Sequence, residues 1–345
     1  MRKKVLVGVS GGVDSAVAAY ILKQQGFDVV GVTMKLFSYF DQEINDAKKC
    51  CEVLGIKHIV VDFSDEFKSK VIDDFAKNYQ SGKTPNPCIV CNKYIKFKAM
   101  LDYALSENFD FIATGHYCKI QYNSSLKRWL LYKTNSSKDQ SYMLYTLNQN
   151  VLKHTLMPLC DYTKDQIRQI AQKINLPVSD KPDSQDICFV KDIDYKDFLK
   201  NEYEIKSVPG NFVDLQGNVI GIHSGIINYT VGQRKGLGVS FGKPMFVKSL
   251  DVSNNTVTLC ENSDLFSNRV TVCDLNFIPF EKLTEEREAY VKLRYQAHAC
   301  RARLIPIEDN KLIMEFQQPQ RAPTPGQSAV FYDGDLVLGG GVITL

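Results

Sequence analysis

The sequence predicts an α/β fold: an N-terminal doubly wound parallel sheet, followed by a small central domain and a C-terminal β-barrel. Three observations predict it. Short apolar runs alternate with helical periodicity through the first half of the chain, and a glycine-rich turn joins the first run to the first helix. After about residue 205 the texture changes to short alternating segments separated by turn residues. Strand and helix in alternation imply parallel strands covered by helices on both faces. A chain of 345 residues is long for one core, so it divides into 1–204, 205–270 and 271–345.

Lys4–Val9 is the first apolar run, and Asp14–Gln25 carries Val17, Ile21 and Leu22 at helical spacing before Gly26 offers a C-cap. Val29–Met34 reads as a second buried strand, Asp46–Leu54 as a helix and Lys57–Phe63 as a third strand. The spacing of Phe67, Val71 and Phe75 predicts a helix, and Phe109–Thr114 a further strand. Thr163-Lys-Asp-Gln166 has capping-box spacing, followed by Ile167, Ile170, Ala171 and Ile174 on one face. Pro177 ends that helix, and the polar stretch to Gln185 reads as a loop. Farther on, Thr256–Leu259, Ala289–Tyr295 and Ser328–Tyr332 read as strands, with turns at Asn254-Asn255, Asp309-Asn310 and Asp333-Gly334.

A mean hydropathy of −0.20 describes an ordinary globular chain, and no apolar run is long enough to span a membrane. Met1-Arg-Lys-Lys resembles the start of a signal peptide, but Val5–Val9 is too short to continue one. The expected location is cytoplasmic. A net charge of +3 is compatible with a nucleic-acid partner without arguing for one.

In Val9-Ser10-Gly11-Gly12-Val13-Asp14-Ser15, the glycines let backbone N–H groups face an anion at a helix N-terminus. The Gly-Lys-Ser/Thr ending of a γ-phosphate-cleaving loop is missing. The segment resembles that of the PP-loop enzymes, which grip pyrophosphate and adenylate their substrates. Asp14 is a candidate oxygen ligand for Mg²⁺.

Ten cysteines in such a chain are expected as buried thiols, ligands or catalysts. Thr84-Pro-Asn-Pro-Cys88-Ile-Val-Cys91-Asn92 enters a helix near Lys93–Glu107, where the dipole would favour a thiolate. Cys188 lies in Asp183-Ser-Gln-Asp-Ile-Cys-Phe189. Cys50, Cys51, Cys118, Cys160, Cys260, Cys273 and Cys300 lack such context and read as buried small hydrophobes.

Those segments recur in a known order, together with Gly8–Ser15, Tyr94–Phe97, Ala113–Tyr117, Lys138–Tyr142, Tyr229–Gly238, Leu293–Tyr295 and Pro325–Gln327. From residue 4 to the end, the chain resembles the bacterial tRNA-specific 2-thiouridylases. The resemblance implies an adenine-nucleotide hydrolase-like catalytic domain with an ATP site at Gly8, Val9, Ser10, Gly11, Gly12, Val13, Asp14, Ser15, Met34 and Gly115. It implies Cys91 as nucleophile and Cys188 as persulfide carrier, with a transient disulfide between them. Asn86, Pro87 and Cys88 match target-base contacts, although many relatives have Asp at Cys88. His116, Lys138, Asp139, Gln140, Arg294, Tyr295 and Gln327 match tRNA contacts. The implied reaction adenylates O2 of the wobble uridine with ATP and Mg²⁺, then delivers sulfur to C2. The implied partners are the tRNAs for Lys, Glu and Gln and a cysteine desulfurase or relay sulfurtransferase.

An iron–sulfur cluster on Cys88, Cys91 and Cys188 is the alternative route for sulfur. A small-molecule ligase would share the phosphate loop but need neither cysteine, and an RNA-binding scaffold would not need the loop. From residue 271 onward the chain holds 8 Lys/Arg and 10 Asp/Glu. Recognition by that module is therefore expected to rest on local stripes, Lys292 with Arg294 and Arg301 with Arg303.

Overall fold

The computed structural model describes residues 2–37, 41–182, 187–190, 193–308 and 310–344. Met1, the Asp183–Asp186 part of the second cysteine motif and Asp309 of the Asp309-Asn310 turn lie outside the described residues.

The first sheet has five parallel strands in the order Lys57–Asp62, Asp28–Lys35, Lys4–Gly8, Phe111–Ala113 and Thr155–Leu156. Val5, Leu6 and Val7 of its central strand are fully buried, as an apolar run covered on both faces should be. The chain winds outward from Lys4–Gly8 to one side and then returns to the other, so a topological switch lies between Lys4–Gly8 and Phe111–Ala113. In open α/β sheets the ligand crevice opens there, at the carboxyl ends of the strands. Gly26, at φ +88°, terminates the helix Val13–Gln24 in the left-handed region expected of it. Cys50 and Cys51 face the core from the helix Asp41–Leu54.

Two helices depart from the α-type periodicity expected of them. The Phe67–Phe75 helix contains a widened i→i+5 segment at Lys68–Ile72, and the cysteine-bearing helix contains another at Asn92–Ala99. The latter also starts earlier than Lys93, because Pro87 occupies its first turn and the Asn86 side chain accepts from Ile89 N–H.

The four-stranded sheet runs Phe246–Asp251, Thr256–Cys260, Gly210–Val213, Val219–His223, around Phe212, Val247 and Val257. The C-terminal strands Phe266–Phe277, Lys311–Arg321, Cys300–Ile307, Arg287–Lys292, Ser328–Asp333 and Leu336–Thr344 close into a barrel, the last pairing with the first. A hairpin from the first half, Lys119–Asn123 and Arg128–Tyr132, adds to this sheet through Leu336 and Tyr132. Nothing in its periodicity separated it from the surrounding α/β segments. Val330 and Tyr332 of the barrel share one core with Leu130, Tyr142 and Ile112.

Both anticipated basic stripes are corrected. Arg287–Lys292 ends before Arg294, whose guanidinium instead turns back to the Ala322 carbonyl (2.8 Å) and Thr324 Oγ1 (2.9 Å). Arg301 pairs with Glu288, and Arg303 bridges Glu286 and Glu315, so that strand face is charge-neutral. Of the remaining cysteines, Cys118 and Cys260 are buried as expected, whereas Cys160, Cys273 and Cys300 are only half-buried.

Candidate active site

The phosphate loop sits at the switch point. Gly11 takes φ +72°, and a Cβ on it would lie 2.7 Å from the Glu43 carbonyl. Two requirements, left-handed backbone and close approach, therefore fix glycine there. Ser15 Oγ accepts from Ser10 N–H (3.1 Å) and donates to the Gly12 carbonyl (3.0 Å), which holds the loop curled. Met34 and Met100 lie beside Gly8, their Cε and Sδ atoms 3.5 and 3.4 Å from where its Cβ would stand.

Gly115 closes the other side of the crevice. A Cβ there would stand 2.7 Å from Ser15 N and 2.8 Å from Asp14 C. The turn after Phe111–Ala113 thus lies directly on the first turn of the loop helix, and its next residue, His116, bonds Thr114 Oγ1 through Nδ1 (2.8 Å). Burial and, secondarily, the Lys96 ammonium push the His116 imidazole down to about 3. It is neutral at any physiological pH.

Asp14 is tied by Lys164, whose Nζ donates to both carboxylate oxygens (2.8 and 2.7 Å), and by the Tyr117 hydroxyl (2.7 Å). Lys181 donates to the Gly11 carbonyl (3.1 Å) and to Asp46 (2.7 Å). Sequence reasoning missed Lys164, Lys181 and Tyr117, because their contacts to the loop cross 150, 170 and 103 residues of chain. No local periodicity encodes such a distance.

The cysteines form the second half of the site. Cys91 is 6% exposed and Cys88 is exposed, one turn earlier on the same helix. The expected dipole-stabilised thiolate is corrected: burial pushes the Cys91 thiol up to about 12, with Lys96 opposing and Cys188 and Cys88 adding. Desolvation at a fully packed sulfur outweighs half a charge at a helix end. Cys188 is exposed as a residue, but its sulfur is closely surrounded, and burial raises it too. Against that work Lys96 and the backbone N–H groups of Cys188 and Phe189, which point at the sulfur. Cys91, Cys88 and Cys188 thus share one neighbourhood, with Lys96 as its cation. Lys96 lies five residues after Cys91, off-face on an α-helix but adjacent where bonds run i→i+5. Among the described residues, no three His, Cys, Asp or Glu side chains converge as metal ligands would.

Of the anticipated RNA-contacting residues, several meet at the seam between the catalytic sheet and the barrel. The Tyr295 hydroxyl donates to the Asp139 carbonyl (3.1 Å), Gln140 Oε1 accepts from Tyr117 N–H (3.0 Å), and Lys138 is exposed. Burial raises the Asp139 carboxyl, although Ser141 and the backbone N–H groups of Thr134 and Ser141 work against it. Gln327 donates to the carbonyls of Thr84 (2.8 Å) and Pro85 (3.3 Å), while Thr84 N–H donates to the Pro325 carbonyl (2.8 Å). The barrel thus grips the segment that leads into Asn86, Pro87 and Cys88. Gln327→Ala should leave two carbonyls short of a donor and cost about 1–3 kcal/mol at this junction. The expected result is a lower Tm and a reduced thiolation kcat, with the KM for ATP unchanged. A weaker Kd for tRNA at unchanged kcat would instead show that the side chain acts on the RNA.

Three family models cover the chain: a tRNA methyl transferase HUP domain over residues 3–192, a tRNA methyl transferase PRC-barrel domain over 196–261, and an aminomethyltransferase beta-barrel domain over 267–343. The tRNA-specific 2-thiouridylase MnmA of Clostridium acetobutylicum is 51% identical over 99% of this chain and 100% of its own length. That of Acetivibrio thermocellus is 49% identical over 99% of both. Among solved structures, the U34-tRNA thiolase NcsA from Methanococcus maripaludis with its [4Fe-4S] cluster is 21% identical, with a TM-score of 0.37, over 59% of this chain and 68% of that one. So distant a likeness carries no argument about mechanism.

Proposed function

The chain belongs to the tRNA-specific 2-thiouridylase family, and from that premise we propose how its own residues carry out the reaction. It is an enzyme that uses ATP to 2-thiolate uridine in tRNA. Two observations support the assignment of residues: Gly115 packs on the first turn of the loop helix, and Lys96, the cation acting on Cys91 and Cys188, also acts on the adjacent His116.

Gly8–Ser15, Met34 and Gly115 are proposed to hold ATP, with the base of the wobble uridine received by Asn86, Pro87 and Cys88. Uridine O2 attacks the α-phosphorus, forming an O–P bond and releasing pyrophosphate. This turns a poor leaving group into AMP. Sulfur arrives as a persulfide on Cys188, where two backbone N–H groups and Lys96 favour the anion. The Cys91 thiolate attacks the Cys188 sulfur and forms the disulfide, and the bonding pair leaves with the outer sulfur. That sulfur adds at C2, and the C2–O bond breaks to free AMP. Two equivalents of an external thiol then reduce the disulfide by successive exchange, restoring both cysteines and leaving as a disulfide themselves.

Mg²⁺ is proposed to accompany the nucleotide. Asp14 is a suitable oxygen donor, but Lys164 and Tyr117 already engage both its oxygens. We assign activation and sulfur transfer to residues 1–204, a bridging role to 205–270 and tRNA contact to 271–345. His116, Lys138, Asp139 and Gln140 of the first unit join Arg294, Tyr295 and Gln327 of the last in that contact, directly or by shaping it. The tRNAs for Lys, Glu and Gln, a cysteine desulfurase or relay protein as donor, and a cytoplasmic setting complete the proposal. No described helix is long and apolar enough to cross a membrane.

Unmodified tRNA incubated with protein, ATP, Mg²⁺ and a sulfur donor should yield 2-thiouridine by nucleoside mass spectrometry. Cys188→Ser should abolish it while pyrophosphate release persists. Thiouridine from Cys188→Ser at the wild-type rate would remove Cys188 from the pathway.

A further inference from the structure

Sulfur transfer leaves Cys91 and Cys188 joined, and an external thiol must then reach that bond. Neither sulfur offers an open approach. Cys91 is 6% exposed, and the Cys188 sulfur is closely surrounded although the residue itself is exposed. Thiol–disulfide exchange depends on access to the sulfur under attack. The thiol of this group that stands open beside the buried Cys91 is Cys88.

Cys88 and Cys91 lie three residues apart in the α-helical turn Pro87–Cys91. Helix geometry sets their Cα atoms about 5 Å apart, within the span of a disulfide. The Asn86 cap and Pro87 in the first turn fix this start, so the spacing belongs to a rigid element. The charge of Cys88 acts on both Cys91 and Cys188, which puts it within reach of either end of the bond. The better leaving group decides between the two ends. Burial raises both thiols, but at Cys188 it is opposed by Lys96 and two backbone N–H groups, whereas Cys91 is pushed up to about 12. The lower-pKa thiol departs faster, which favours attack on Cys91 and departure of Cys188.

We propose that Cys88 is the resolving thiol of this site, moving the disulfide from Cys188 onto the Cys88–Cys91 pair, where reductants reach it. The inference rests on the persulfide reading of Cys91 and Cys188. Cys88, having lost its proton to water, attacks the Cys91 sulfur. The Cys88–Cys91 bond forms as the Cys91–Cys188 bond breaks, and Cys188 leaves as a thiolate ready for the next sulfur. One disulfide replaces another, so this step consumes no reductant. A first external thiol then attacks Cys88 and frees Cys91, and a second frees Cys88 and leaves joined to the first.

The test quenches full-length, persulfide-loaded protein with an alkylating agent after one turnover with ATP, Mg²⁺ and unmodified tRNA. Cys88 and Cys91 share the tryptic peptide 84–93, and Cys188 lies outside it. The expected product is that peptide with an internal disulfide, together with alkylated Cys188. In Cys88→Ser and Cys88→Asp it is instead the cross-link between Cys91 and Cys188. With thioredoxin as reductant, the ratio of steady-state rate to first-turnover rate should fall about tenfold or more in both variants. Dithiothreitol, a far smaller reductant, should restore most of it. Reading a ratio separates this effect from a weakened grip on the base, which slows the first turnover as well. Persistence of the Cys91–Cys188 cross-link in the wild type, or an unchanged ratio in both variants, overturns the proposal and leaves the persulfide reading standing. A wild type that thiolates tRNA yet forms no disulfide overturns both, and iron with acid-labile sulfide lost from both variants would put a cluster in their place.

Discussion

Gly115→Ala should slow thiolation about a hundredfold at the ATP-dependent step, because the methyl group has nowhere to go. Its Cβ would stand 2.7 Å from Ser15 N, 2.8 Å from Asp14 C and 3.0 Å from Ser15 Cα. All three atoms are backbone, fixed by the first turn of the loop helix and by the strand before it. Relief requires the Thr114–His116 turn and the helix start to move apart by a few tenths of an ångström to about 1 Å. Displacement on that scale costs about a hundredfold in rate when reacting groups must be aligned. The KM for ATP and the rate of pyrophosphate release read the effect, with a thermal melt to confirm folding. Gly221→Ala, whose Cβ would approach nothing nearer than Phe212 Cδ2 at 3.5 Å, serves as a silent comparison. Activity within about threefold of wild type in Gly115→Ala would show that the crevice does not depend on this contact.

The second large effect concerns pH. With the Cys91 thiol pushed up to about 12, its thiolate fraction grows about tenfold per pH unit through the neutral and mildly alkaline range. Single-turnover sulfur transfer from persulfide-loaded enzyme should rise accordingly from about pH 7 to about pH 9. Lys96→Met removes the cation that opposes burial, so the same curve should lie lower at every pH in that span. A pH-independent rate would show that sulfur leaves Cys188 without ionisation of Cys91. Stability has the opposite sign. The folded thiol lies above its unfolded value, so its contribution is complete below about pH 8.5 and is lost as pH climbs toward the folded value.

Much of this architecture is legible in the sequence, because it rests on local signals. The run Lys4–Val9, the Ser-Gly-Gly-Val-Asp-Ser turn and the Thr163 capping box each encode their own conformation. What escaped was whatever depends on partners far along the chain. The capture of Asp14 by Lys164, the grip of Gln327 on Thr84 and Pro85, and the pairing of Tyr132 with Leu336 have no local pattern. The ionisation of Cys91 escaped for a related reason: helix position is visible in sequence, but the desolvation that overrides it is a property of packing. Lys96 was within sight, yet α-helical spacing places it on the wrong face.

The hairpin Lys119–Tyr132 has a consequence for how the chain can be made and altered. It leaves the ribosome some 200 residues before Leu336, the residue it pairs with. Until the last strand is synthesised, its outer edge offers unpaired N–H and C=O groups to any neighbour. Early release or truncation near the C-terminus should therefore yield a sticky fragment and not a smaller working enzyme. For the same reason, transplanting the last third of a relative onto this chain would carry away half of an interface whose other half was written near its beginning.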